Sequence, residues 1–85
     1  MDWRVMEMEM LRLGLTERER EVTRLVVAGV RTAQVAELLY LEQATVANYM
    51  GTIYRKAGIP VSVGRGRRCQ LLRVLSGLPA EGEGA

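Results

Sequence analysis

The chain has 85 residues, a length that forms one small domain around a single hydrophobic core. It contains no histidine and one cysteine, a composition that argues against histidine-based acid–base catalysis, most zinc sites and an internal disulfide. The net charge is only +2, but six acids against four arginines make residues 1–21 acidic, whereas residues 60–79 carry four arginines and no acid. The basic C-terminal part of the chain either contacts a polyanion or is a solubilising surface.

Export and membrane insertion have no support in the sequence. No apolar run approaches the roughly 20 residues that span a bilayer. Asp2 and Glu7 stand where a secretory signal has basic residues. We therefore predict a cytoplasmic protein that makes no membrane contact and needs no metal or cofactor.

An N-terminal extension, residues 1–14, precedes the first strong structural signal. Trp3, Met6, Met10 and Leu13 recur at helical spacing and predict a short amphipathic helix over residues 2–13, ended by Gly14. The methionines either pack this segment on the core, which we favour, or form an adaptable partner-binding face.

Thr16 opens the next helix. With Glu19 three residues later it fits a capping box, in which hydroxyl and carboxylate each accept a backbone N–H. Val22, Leu25 and Val26 then define an inner side, and Gly29 is a natural stop. We interpret the pair Arg18 and Glu19 as structural, tying helices together.

A second core helix is predicted over residues 33–39, with Thr32 as its cap. Its apolar stripe comprises Val35, Ala36, Leu38 and Leu39. Residues 40–42 connect it tightly to a third helix over about 43–57, ended by Gly58. The third helix has a buried stripe of Val46, Met50, Ile53 and Ala57, so the opposite side faces outward.

Residues 60–78 form a basic segment in which a fourth helix begins near Arg67 and ends at Gly77. Cys69, Leu72 and Leu75, flanked by Leu71 and Val74, supply its apolar side, and we predict that Cys69 is buried. Residues 79–85, rich in glycine and glutamate, have the composition of a disordered tail.

Several spaced blocks run in register over residues 15–59, the predicted helix–turn–helix core. They are Leu15-Thr16-x-Arg18-Glu19-x-Glu21-Val22, Gly29, Val35-Ala36-Glu37-x-Leu39, Leu41, Thr45-Val46, Ile53-Tyr54-Arg55-Lys56 and Gly58. This pattern resembles the LuxR/GerE-type helix–turn–helix domain. The resemblance implies an all-α bundle of four core helices, here with an extra N-terminal helix, whose third helix reads the DNA major groove and whose fourth often mediates dimerisation.

The resemblance also implies a stand-alone DNA-binding transcription regulator, with a piece of a longer regulator as the alternative. In the third helix, Gln43 and Asn48 are candidates for base edges and Ala47 for a thymine methyl. Candidates for phosphate contact are Thr45, Tyr49, Thr52, Arg55 and Lys56 in that helix and Arg65, Arg67 and Arg68 after it. Cys69, Leu72 and Leu75 are the candidate homodimer contacts.

This outward face is poorer in charge than the family pattern. Ala47 and Gly51 stand where polar or basic residues are common, Tyr49 where histidine is usual, and Glu42 where Ser or Thr caps the helix. The alternative function is therefore a protein-interaction module acting on RNA polymerase or another regulator. A sigma-factor DNA-binding region fits the spacing less well, and no residue pattern points to an enzyme.

Overall fold

The structure is a computed structural model that describes residues 2–60 and 66–77. These two ranges contain five α-helices. They are α1 (Trp3–Arg12), α2 (Glu17–Val27), α3 (Thr32–Leu39), α4 (Gln43–Lys56) and α5 (Arg67–Leu75). No strand occurs in these two ranges. An all-α bundle of four core helices with an extra short helix in front confirms the predicted fold class.

Thr16 fixes the start of α2 through the predicted capping box. Its hydroxyl accepts the Glu19 N–H at 3.2 Å, and the Glu19 carboxylate accepts the Thr16 N–H at 2.7 Å. Such a cap is worth about 1 kcal/mol because it satisfies helix-end donors that have no partner inside the helix.

Each of the five helices is followed by a residue with positive φ. Four of these residues are glycines, including Gly29 at +92° and Gly58 at +75°. The fifth is Tyr40, at +56°, which caps α3 and starts the turn into α4. Glycine adopts this left-handed backbone at little cost, whereas a residue with a Cβ is strained there.

The predicted inner stripe of α4 is the centre of the core. Val46 and Ile53 are fully buried, and Met50 and Ala57 retain less than a tenth of their exposure. α4 packs against α2 and α3, so its buried stripe is shared with both helices. The prediction for this helix is confirmed to within one residue at its C-terminal end.

α1 closes the bundle over α5. Met6 and Met10 are fully buried, which confirms core packing for these two methionines, whereas Met8 is 68% exposed. Leu71 and Leu75 of α5 are fully buried as well. Arg24 of α2 holds Glu7 of α1 through two hydrogen bonds of 2.7 and 3.0 Å. This bond from Arg24 lowers the pKa of the Glu7 carboxyl. α1 is therefore an integral part of the bundle.

Four side-chain predictions were wrong. Trp3, which the spacing puts on the apolar side of α1, is 57% exposed. Thr32 is the first residue of α3 and makes no capping bond; Arg31 occupies the cap position. Leu38 is turned outward, because the inward direction of this short helix is taken by Val35 and Ala36. Cys69 is exposed, because α5 turns Gln70, Leu71, Val74 and Leu75 inward.

Within the two described ranges, the structure has no helix long and apolar enough to cross a membrane.

Candidate nucleic-acid interface

The outward face of α4 is the first component of the site. Ala47, Asn48, Gly51 and Arg55 are exposed and Thr52 is half-buried. They lie opposite the buried stripe, because helical residues three and four apart share one side. The sequence-predicted outer face is therefore the one that α4 presents.

A groove of about 730 Å³ runs along this face and continues over the turn after α4. Small residues form much of its lining, and a Cβ added at Gly51 would meet no atom within 4 Å. The residues lining the groove are Ala47, Asn48, Gly51, Thr52, Arg55, Gly58, Ile59, Pro60 and Arg67. It is an open, shallow surface with two guanidinium groups.

Arg55 and Arg67 give the groove its charge, and none of the described residues that line it is acidic. The Arg67 guanidinium lies over the Tyr54 ring, 4.1 Å from its centroid. This cation–π contact offsets the repulsion between a cation and the positive N-terminus of α5. The Arg67 Nε–H is buried and has no hydrogen-bond partner within residues 2–60 and 66–77.

Tyr54 serves as the platform for this arginine. Burial raises the pKa of its hydroxyl, and the positive charges of Arg68 and Arg67 oppose that rise. The ring is 7% exposed, so its position is set by the core and not by solvent. The C-terminal end of α4 is thus linked to the start of α5 by an aromatic–guanidinium contact.

The outward face of α4 also borders a second concavity on its other side. A smaller concavity of about 200 Å³ is lined by Thr45, Asn48, Tyr49, Thr52 and the carboxylate-bearing Glu19. Asn48 and Thr52 line both concavities and therefore form the crest between them. Among the described residues, the Arg55 side of this crest carries two cations and no carboxylate. The carboxylate on the Thr45 side belongs to Glu19, which is 4% exposed and paired with Lys56.

Lys56 is engaged within the domain. Its ammonium donates to Glu19 Oε1 at 2.7 Å and to the Gly14 carbonyl oxygen at 3.0 Å. Burial alone would raise the pKa of Glu19, but the bonds from Lys56 and from the Thr16 N–H outweigh it and lower that pKa. Glu19 therefore ties α2 to the end of α4, as predicted. The same prediction was wrong for Arg18, whose ion pair with Glu21 lies within α2.

The remaining predicted basic residues fall in different places. Arg68 is exposed and donates to the Thr32 hydroxyl at 3.2 Å, which brings α5 beside the start of α3. Arg65 lies outside the described residues. Gln43 is exposed at the first turn of α4. Of the predicted cations that fall within the described ranges, only Arg55 and Arg67 line the groove.

Sequence reasoning missed part of the rim. Gly58, Ile59 and Pro60 line the groove beside the two arginines. Gly58 and Pro60 signal a turn in the sequence, but nothing local indicates that this turn folds back along α4. Among the described residues, no cluster of three or more acidic, cysteine or histidine side chains is placed to hold a metal ion.

A family model for bacterial regulatory proteins of the LuxR family, GerE, matches residues 13–63, more than half of the chain. The chain belongs to the LuxR family. The LuxR family is a family of DNA-binding regulatory domains and not an enzyme family. The match leaves α1 and α5 of the LuxR-family chain outside its bounds. No curated protein and no solved structure matches the chain significantly.

Proposed function

We propose that this protein is a transcription regulator that binds duplex DNA with the outer face of α4 in the major groove. The groove that contains Asn48, Thr52, Arg55 and Arg67, with no acidic residue in its described lining, carries this proposal. The face is convex at the crest and basic on one side, as a helix that enters a DNA groove requires.

Asn48 is the proposed base-reading residue. It is exposed on the crest, and its amide has the donor and acceptor that pair with adenine N6 and N7. Gln43, exposed at the start of α4, has the same chemistry. Ala47 beside Asn48 fits contact with a thymine methyl group. With so few reading groups, we expect modest sequence preference.

Backbone contacts supply most of the proposed affinity. Arg55 and Arg67 line one wall of the groove, and Arg68 is exposed at the start of α5. We assign these guanidinium groups, with Arg65, to phosphates of one strand. The hydroxyls of Thr45, Tyr49 and Thr52 are weaker candidates because they are uncharged and half-buried. Lys56 is not among the proposed phosphate contacts, because its ammonium already donates to Glu19 and to the Gly14 carbonyl oxygen.

We further propose that the regulator acts in the cytoplasm as a homodimer through the outer side of α5. Cys69 is exposed and Leu72 is 37% exposed, so both are available to a second copy. Leu75 is fully buried within the chain and is better assigned to the core.

Selection of bound sequences from a random duplex pool tests the proposal. The wild-type chain should enrich a preferred site, and Asn48→Ala should relax one position by about 1–3 kcal/mol. Arg55→Ala should weaken binding to all duplex sequences alike and reduce the salt dependence of the affinity. Arg4→Ala is the matched control, because it removes the same charge from an exposed residue of α1. No detectable binding at low salt would refute the proposal.

The second candidate function is docking on RNA polymerase or another regulator. It is favoured by the small side chains at Ala47 and Gly51 and by Trp3 and Met8 of α1, which are 57% and 68% exposed. A smooth, weakly charged surface suits protein contact. This function would replace the first if the chain failed to bind DNA and Gly51→Lys abolished binding to a purified polymerase.

A further inference from the structure

The turn between α3 and α4 exposes two large apolar side chains. Leu38 is 59% exposed and Tyr40 is 95% exposed. The inward positions of α3 belong to Val35 and Ala36, which are buried. Leu38 and Tyr40 therefore contribute little to the hydrophobic core.

Tyr40 has a backbone conformation that is unfavourable for a residue with a Cβ. Its φ of 56° and ψ of 43° lie in the left-handed region, where the other four helix-ending residues are glycines. The turn is closed by the Tyr40 N–H on the Glu37 carbonyl and the Leu41 N–H on the Ala36 carbonyl, at 3.3 and 2.8 Å. Those bonds need the backbone geometry and not the aromatic ring. The fold alone would favour glycine at this position.

Two carboxylates accompany the apolar pair. Glu37 and Glu42 are exposed, and neither takes part in an ion pair in the part of the chain that the structure describes. Glu7 and Glu19, by contrast, are each held by a cation. The turn thus combines apolar contact area with unneutralised negative charge. Such a surface repels the phosphates of DNA and complements a basic protein surface.

We propose that Glu37, Leu38, Tyr40 and Glu42 form a docking surface for another protein, one that presents lysine or arginine side chains around an apolar pocket. Tyr40 would be the anchor that fills the pocket, since exposed tyrosines bring a large rigid area into an interface. The two glutamates would pair with the cations at its rim. This surface is separate from the groove on α4, so its test does not depend on DNA binding.

The probe is a displayed library of random peptides, selected on the wild-type chain and counter-selected on the double variant Leu38→Gln/Tyr40→Gly. The selected consensus should combine bulky apolar residues with lysine or arginine. A synthetic consensus peptide should bind Tyr40→Gly about tenfold or more weakly than the wild type, by fluorescence anisotropy. The thermal midpoint of Tyr40→Gly should nevertheless rise by several degrees, because glycine relieves the left-handed strain. If Tyr40 served only the fold, Tyr40→Gly would lower the thermal midpoint.

Charge reversal supplies the matched comparison. Glu37→Lys and Glu42→Lys should weaken binding of the consensus peptide, whereas Glu17→Lys on the exposed side of α2 should leave it unchanged. A library that yields no peptide sensitive to Tyr40, or an acidic consensus, would overturn the proposal. So would loss of duplex affinity in Tyr40→Gly, which would assign the ring to DNA. Dissociation of a wild-type dimer by Tyr40→Gly in sedimentation would assign the surface to a second copy.

Discussion

Replacing Gly51 with alanine should stabilise the domain. Gly51 lies in the interior of α4 (Gln43–Lys56), and a Cβ at this position would meet no atom within 4 Å. Alanine is better than glycine inside a helix by about 0.8–1 kcal/mol, mainly because glycine loses more backbone entropy on folding. No steric cost opposes that gain. For a domain of this size, a change of 1 kcal/mol shifts the thermal midpoint by about 4–8 °C.

Gly29→Ala is the matched control for this experiment. A Cβ at Gly29 also meets nothing within 4 Å, but φ there is +92°. The two variants therefore add the same methyl group to open space and differ in backbone conformation. Thermal denaturation followed by circular dichroism should show a higher midpoint for Gly51→Ala and a lower one for Gly29→Ala. A lower midpoint for Gly51→Ala would refute the assignment of Gly51 to an open helical face.

Three further predictions follow from the core, the ion pair and the groove. Met10→Ala should lower the free energy of unfolding by about 2–5 kcal/mol in urea titrations, because Met10, on the inner side of α1, is fully buried. Glu19→Gln should cost about 1–3 kcal/mol near neutral pH, because it leaves Lys56 poorly paired. The pKa of Glu19 in the folded chain lies below its ordinary value of 4.5, so this contribution is complete above about pH 4.5 and is lost as pH falls through the folded pKa. Wild type and Glu19→Gln should therefore converge in stability in acid. Gly51→Lys should raise duplex affinity and steepen the logarithmic salt dependence by about 0.9, because the added cation faces the phosphates. Unchanged binding would show that DNA does not bind at this face of α4.

The sequence was sufficient for the helices because their ends carry local signals. Thr16 and Glu19 specify the start of α2, and Gly29 and Gly58 supply the left-handed residues that follow α2 and α4. The long α4 also has enough turns for its apolar spacing to determine which side is buried. These features depend on residues a few positions apart and can be read without tertiary information.

The side chains of short helices were less predictable. α3 has eight residues and α5 has nine, so several apolar stripes fit each sequence about equally well. The packing of neighbouring helices decides between them, and it turns Leu38 and Cys69 outward. The same applies to Lys56, whose partner Glu19 lies 37 residues away. The groove depends likewise on contacts between α4, the turn after it and Arg67, which spacing alone does not encode.

Titration of the isotope-labelled chain with duplex DNA, followed by NMR of the backbone amides, tests the central claim most directly. The claim is that the Arg55 side of the α4 crest is the DNA-binding surface. At low salt, the largest shifts should occur at Asn48, Gly51 and Arg55, while the amides of Trp3 and Met8 in α1 stay unchanged. Shifts concentrated on α1, or no shifts at any position at low salt, would contradict it.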